Sequence, residues 1–110
     1  MVRWITSHAN YIEFCKPDFQ LRTANFYVPI LGGKEGFAVG ITISRKVGNA
    51  VHRNLLKRRI KAWFRLADAI FPAGYQLNLV AKKGAAELSW QDLSTQLSAL
   101  VALLSQKAAL

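Results

Sequence analysis

The stretch FAVGITISRKVGNAVHRNLLKRRIKAWFR, running from Phe37 to Arg65, decides the fold. Its first eight residues alternate, with Phe37, Val39, Ile41 and Ile43 on one side and Ala38, Gly40, Thr42 and Ser44 on the other. That is the period of a strand with one apolar face and one face of small residues. Gly48 breaks the run, Asn49 is a good helix cap, and from Ala50 to about Asp68 the spacing becomes helical. Arg53, Lys57, Lys61 and Arg65 form an i, i+4 row, with Asn54 and Arg58 beside it. Val51, Leu55, Ala62 and Leu66, together with Leu56, Ile60, Trp63 and Ala67, are expected to face the other way and pack on the sheet. A strand feeding a helix with one dry and one cationic side predicts an α+β domain.

Working outward, Phe71-Pro72-Ala73-Gly74 closes the helix, and Tyr75, Leu77 and Leu79 alternate against Gln76 and Asn78 in a second clear strand from Tyr75 to Ala81. Upstream, Phe26, Val28 and Ile30 alternate with Tyr27 and Pro29 before Gly32 and Gly33. This is a third strand, within Arg22 to Leu31, and Pro29 points to a sheet edge or a strand end. There is room for a short further strand at Asp18 to Leu21. Ser7 to Lys16 is expected to form a short helix, capped by Thr6 or Ser7 and ended by Pro17, with Tyr11, Phe14 and Cys15 on one side. Ser89 to about Gln106 carries a helical stripe of Trp90, Leu93, Leu97, Leu100, Val101 and Leu104, the pattern of a helix that covers a sheet. Phe14, Phe26 and Trp63 are expected in the core.

The 110 residues suit one domain, 1–110, and an apolar content of 52% separates the chain from disordered basic tails. Cys15 is alone, so there is no disulfide framework, and His8 and His52 are too far apart to suggest a local metal site. No signal-peptide stretch and no membrane-length apolar run occurs, so the chain reads as soluble and cytoplasmic. Charge is the informative quantity. Of 15 Lys and Arg, eight lie between Arg45 and Arg65 with no acid among them, and this one segment carries nearly all of the net +9. A surface made for solubility mixes signs, whereas concentrated like charge suits a polyanion such as nucleic acid.

The run Ser44-Arg45-Lys46-Val47-Gly48-Asn49-Ala50-Val51-His52-Arg53-Asn54-Leu55-Leu56-Lys57-Arg58 closely resembles the signature of the bacterial ribonuclease P protein component, S-[KR]-K-x-G-N-A-V-x-R-N-R-x-K-R. The likeness extends outward to the strand before the signature, to Tyr75 to Lys83 and to the closing helix. Leu55 stands where the pattern has its second arginine, with Arg59 as a substitute, and Lys61 stands where an arginine is usual. The resemblance implies a single-domain αβββαβα sandwich, ribosomal protein S5 domain 2-like, with a four-stranded sheet and a left-handed βαβ crossover against the usual right-handed rule. It also implies a non-catalytic subunit of an endoribonuclease that removes the 5′ leader of precursor tRNA. The active site would lie in the catalytic RNA, with Mg2+ bound mainly by that RNA, and no membrane or protein oligomer would be required.

On that reading Arg45, Lys46, Asn49, Arg53, Asn54, Lys57, Arg58, Lys61 and Arg65 would bind the RNA subunit. Tyr11, Cys15, Tyr27 and Pro29 would line a cleft for the single-stranded leader, with Tyr11 and Tyr27 as base-stacking platforms. His52, beside Arg53, is expected to be incidental. Three other readings compete. A small ribosomal protein fits charge and size but does not require the Val-Gly-Asn-Ala run. A membrane-docking helix would need the apolar side that the sheet requires. A stand-alone protein nuclease lacks paired carboxylates or a nucleophile beside a base.

Overall fold

A computed structural model describes residues 2–67 and 71–109. A mixed five-stranded sheet in the order β1-β4-β5-β3-β2 organises them. Its strands are β1 (Arg3–Trp4), β2 (Phe19–Arg22), β3 (Phe26–Leu31), β4 (Phe37–Thr42) and β5 (Tyr75–Ala81). Three α-helices accompany it: α1 (His8–Ile12), α2 (Ala50–Leu66) and α3 (Trp90–Ala108). β4 and β5 run parallel, with Phe37 opposite Tyr75 and Thr42 opposite Val80, and α2 is the crossover between them. β3 is antiparallel to both β5 and β2.

Alternation divides the sheet into two unlike faces. Phe26, Val28, Ile30, Val39, Leu77 and Leu79 point to one side, where they meet Leu56, Ile60, Trp63 and Phe64 of α2 and Leu93, Leu97, Leu100 and Leu104 of α3. Each such fully buried side chain is worth about 1.5 to 3 kcal/mol in transfer from water. Trp63 also donates its indole N–H to the Ser94 hydroxyl at 3.0 Å, tying α2 to α3. The other face is covered only at one end, where Ile5, Phe14, Leu31 and Ala38 form a second small core with Tyr11 against it.

The sheet has one strand more than the four expected. β1 is the addition, a two-residue edge strand parallel to β4, with Arg3 opposite Ala38 and Trp4 opposite Val39. Two residues show no alternation, so hydropathy carries no sign of such a strand. The strand expected near Asp18 to Leu21 is present as β2, and it takes one edge of the sheet. Pro29 is therefore on an interior strand and not at an edge or strand end. The registered pairs to β5 skip Val28 and Pro29, and Pro29 itself has no N–H to donate there. The missing ladder bond is tolerated because β3 is paired along its length with β2.

The first helix is shorter than expected. After Ile12 the chain tightens into a 3-10 turn, Glu13–Cys15. At three residues per turn, Phe14 stays beneath Tyr11 while the next residue swings away. Phe14 is buried and Cys15 is exposed, so the one-sided trio of Tyr11, Phe14 and Cys15 is broken at its last member. Ser7 occupies the cap position without a side-chain cap bond. α2 ends at Leu66, and Asp68, its expected last residue, lies outside the described residues. α3 starts after Ser89, whose hydroxyl accepts the Asp92 N–H at 3.0 Å, and of its stripe Leu93, Leu97, Leu100 and Leu104 are buried, Val101 is half-buried and Trp90 is exposed.

Candidate nucleic-acid interface

The cationic surface begins in the loop before α2. Val47 is buried and anchors a 3-10 turn, Arg45–Val47, from which Arg45 and Lys46 project as exposed side chains. Asn49 then caps α2: its side chain accepts the His52 N–H at 3.0 Å, and its carbonyl accepts the Arg53 N–H at 2.9 Å. This cap fixes where the basic helix starts relative to the loop.

An i, i+4 row is not parallel to the helix axis, because four residues turn 400°, which is 40° past a full circle. The row Arg53, Lys57, Lys61, Arg65 therefore winds around α2. Arg53 begins it beside the buried stripe and is half-buried, with an Nε that is shielded from solvent and has no acceptor. Lys57, Arg58 and Arg65 are exposed, as is Asn54. Lys61 is half-buried, with its ammonium 5.5 Å from the centroid of Trp4. Among the described residues, no carboxylate pairs with any of the eight basic residues from Arg45 to Arg65.

The same winding corrects the expected dry side. The buried stripe is Leu56, Ile60, Trp63 and Phe64. Val51 is 75% exposed and Leu66 71% exposed, so both lie on the solvent side, and Leu55 and Ala62 are half-buried between that side and the core. The outer face of α2 is thus a cationic surface with aliphatic residues between the charges. Arg59 does not stand free on it: its guanidinium donates to the Leu88 carbonyl at 3.1 Å and stitches α2 to the start of α3.

The second surface is the uncovered part of the sheet's other face. Tyr11 closes one end of it. Its hydroxyl is 3.0 Å from the Ile5 carbonyl and accepts the Ile41 N–H at 3.1 Å, and its ring lies over Gly40, where a Cβ would sit 2.8 Å from Tyr11 Cε1. Tyr11 is thus pinned to the sheet. Tyr27 and Pro29 share this face; Tyr27 is half-buried, with its hydroxyl donating to the Gln20 side chain, while Pro29 is buried in the floor. Cys15 stands exposed at the end of the 3-10 turn. A groove of about 440 Å³ lined by Ile5, Thr6, Tyr11, Ile41, Thr42 and Lys57 joins this face to the cationic helix.

Gln76 and Asn78 are buried polar residues on this face, and Thr42 donates its hydroxyl to Asn78 at 3.0 Å. Their alternation with Tyr75, Leu77 and Leu79 is visible in the sequence. Two amides on the second face of a central strand are the signal that marks this face as a polar floor. Among the described residues, no group of three His, Cys, Asp or Glu is placed to hold a metal ion, and no helix is long and apolar enough to cross a membrane.

An α+β domain with its excess positive charge gathered on one helix and its preceding loop, and a half-polar sheet face joined to them by a groove, defines an RNA-binding protein of the ribonucleoprotein type. Residues 3–105 match the Ribonuclease P family model. The ribonuclease P protein component of Geobacter sp. (strain M21) is 42% identical over 99 residues, covering 88% of this chain and 84% of that one. That of Streptococcus pyogenes serotype M12 (strain MGAS2096) is 37% identical over 97 residues, covering 76% of each. Among solved structures, the Staphylococcus aureus RNase P protein superposes with a TM-score of 0.78 at 23% identity, covering 93% of this chain and 94% of that one. The Thermotoga maritima RNase P protein also gives 0.78 at 23%, covering 90% and 94%. These two likenesses show the shared fold. The chain belongs to the ribonuclease P protein component family, whose members serve tRNA processing.

Proposed function

We propose that this protein is the non-catalytic subunit of a ribonuclease P, holding the catalytic RNA on the outer face of α2 and its preceding loop and the leader of precursor tRNA on the open sheet face. The observation that carries this reading is the run of eight basic residues, none of which pairs with a carboxylate among the described residues, on the surface that bears the family signature. Phosphates are the ligands such a surface takes. Arg45, Lys46, Lys57, Arg58 and Arg65 are free to meet them, and the Arg53 Nε, which has no acceptor, gains one on binding. Asn49 and Asn54 add polar contacts, and Lys61 adds charge from beside Trp4.

The protein's part is positional. Charge on α2 anchors it to the RNA subunit, and the face beyond Tyr11 receives an unpaired strand, for which Tyr27 offers a partly exposed ring. Tyr11 acts chiefly as the wall of that cleft, Pro29 as its floor and Cys15 as its rim. The described carboxylates do not gather into a magnesium site: Glu13 pairs with Lys34, and Asp18 accepts the Gly32 N–H. The Mg2+ of the reaction is proposed to be held chiefly by the RNA, as the family resemblance implies, and none of the protein's contributions runs through it. The setting proposed is the cytoplasm, where precursor tRNA is made in bacteria.

Reconstitution tests the proposal. Added to a bacterial ribonuclease P RNA at low magnesium, the protein should stimulate 5′ leader removal from precursor tRNA, with neither component active alone under those conditions. Tight binding to several such RNAs without stimulation of any would refute it, and would favour the small ribosomal protein reading.

A further inference from the structure

One end of the open sheet face carries a row of side chains that continues from the Tyr11 cleft past Tyr27 to the β2 edge, where Arg22 has no role yet assigned. Thr42 on β4 is registered with Val80 on β5, Val80 with Tyr27 on β3, and Tyr27 with Arg22 on β2. Directly opposed residues share a face, so all four project from the side away from the main core. At roughly 4.8 Å between strands the row is about 14 Å long. α1 and its 3-10 turn cover the opposite end of this face, over Leu31 and Ala38, and leave the row uncovered.

The two ends of the row differ. The Thr42 end leads through Ile43 and Ser44 to the exposed pair Arg45 and Lys46. The far end, on the edge strand β2, carries Arg22, which is exposed, with its guanidinium 4.9 Å from the centroid of the Tyr27 ring. The Tyr27 hydroxyl donates to Gln20, the preceding residue of β2 on the same face, which fixes the ring beneath the guanidinium. Among the described residues, no carboxylate pairs with Arg22. A planar cation held over an aromatic ring offers a stacking surface and a fork of N–H donors together, the combination that recognises a base and its phosphate.

We propose that this row is an outer track for the single-stranded leader and that the Arg22–Tyr27 pair is its terminal clamp, stacking one base and binding the adjoining phosphate. The proposal rests on the leader reading of the sheet face and extends it from the Tyr11 cleft to the β2 edge. Arg22 is a leader-binding residue on this view, remote from the cleaved bond, and it gives long leaders an affinity that short ones lack.

The test compares reconstituted holoenzymes carrying wild-type protein, Arg22→Gln or Arg22→Lys, using precursor tRNA with a long single-stranded leader and precursor trimmed to a single leader nucleotide. The readout is the ratio of the two affinities. Arg22→Gln should lower the wild-type ratio by about fivefold, and Arg22→Lys, which keeps the charge but not the planar fork, should recover only part of it. A wild-type preference for the long leader that Arg22→Gln leaves unchanged would overturn the clamp while sparing the cleft. No wild-type preference at all would overturn the leader reading and the clamp with it. Far-ultraviolet circular dichroism and affinity for the RNA subunit, measured on the same variants, separate a lost contact from a lost fold.

Discussion

Replacing Lys57, Arg58 and Arg65 together by Gln should change the salt dependence of RNA binding more than it changes the protein. All three are exposed, and no described carboxylate pairs with them, so their loss removes no native contact of note. Each phosphate contact contributes about 0.7 to 0.9 to the slope of log K against log salt, so the triple variant should lose roughly two to three units of slope. Near physiological salt that loss corresponds to an affinity lower by about 50-fold to 200-fold, and the deficit should shrink toward nothing as salt approaches about 1 M. The assay is filter binding or fluorescence anisotropy with ribonuclease P RNA over a salt series, with urea unfolding of the free protein as control. An affinity loss of equal size at every salt, or an unchanged slope, would refute the phosphate-contact argument and move the RNA-binding face elsewhere.

Other outcomes follow from the same geometry. Arg59→Gln should leave the salt slope unchanged and lower stability by about 1 kcal/mol in urea melts, because Arg59 is committed to the Leu88 carbonyl. Leu55→Arg should steepen the slope by about 0.7 to 0.9, since position 55 lies toward the solvent side of α2 and the family pattern has an arginine there. Gly40→Ala should cost about 1 to 3 kcal/mol by urea unfolding, because the new methyl would sit 2.8 Å from the Tyr11 ring, and should weaken leader-dependent substrate binding as Tyr11 shifts. Leu97→Ala, at a fully buried position on the sheet-facing side of α3, should cost about 2 to 5 kcal/mol in the same melt.

The parts of the fold that the sequence made legible are those with a sustained period. β4 and β5 alternate for six and seven residues, α2 and α3 hold helical spacing for 17 and 19, and all four elements lie close to where their patterns place them. β1 and the tail of the first helix were not legible, for different reasons. β1 has two residues, held by parallel pairing to β4 and by the Ile5 N–H to the Val39 carbonyl at 2.9 Å, contacts that depend on a partner distant in sequence. The switch from α to 3-10 geometry at Glu13 changes the angle per residue without changing residue type, so it leaves no mark in the hydropathy pattern and shows only in the exposure of Cys15.

The candidate site divides in the same way. The charge run and its cap at Asn49 are local, and they are visible in the sequence. The roles of individual cations are tertiary: Arg53 lies half-buried at the edge of the dry stripe, Lys61 rests against Trp4, and Arg59 is drawn to the loop before α3. Reading an i, i+4 row as a straight stripe also placed Val51 and Leu66 on the wrong side. Over the three steps from Arg53 to Arg65 the row turns 40° each time, enough to carry its far end into the sector those aliphatic residues occupy. The pairing of Arg22 with Tyr27 depends on strand register, which no local pattern in β2 or β3 reveals.

The most direct measurement maps both faces at once in the reconstituted holoenzyme bound to precursor tRNA, using a thiol-tethered hydroxyl-radical source. One sample carries the probe on the native, exposed Cys15; a second carries it on Arg58→Cys in a Cys15→Ser background. Cuts in the leader from position 15 and in the RNA subunit from position 58 are the predicted result. Leader cuts from position 58, or cuts confined to the RNA subunit from both positions, would contradict the assignment of α2 to the catalytic RNA and of the sheet face to the leader.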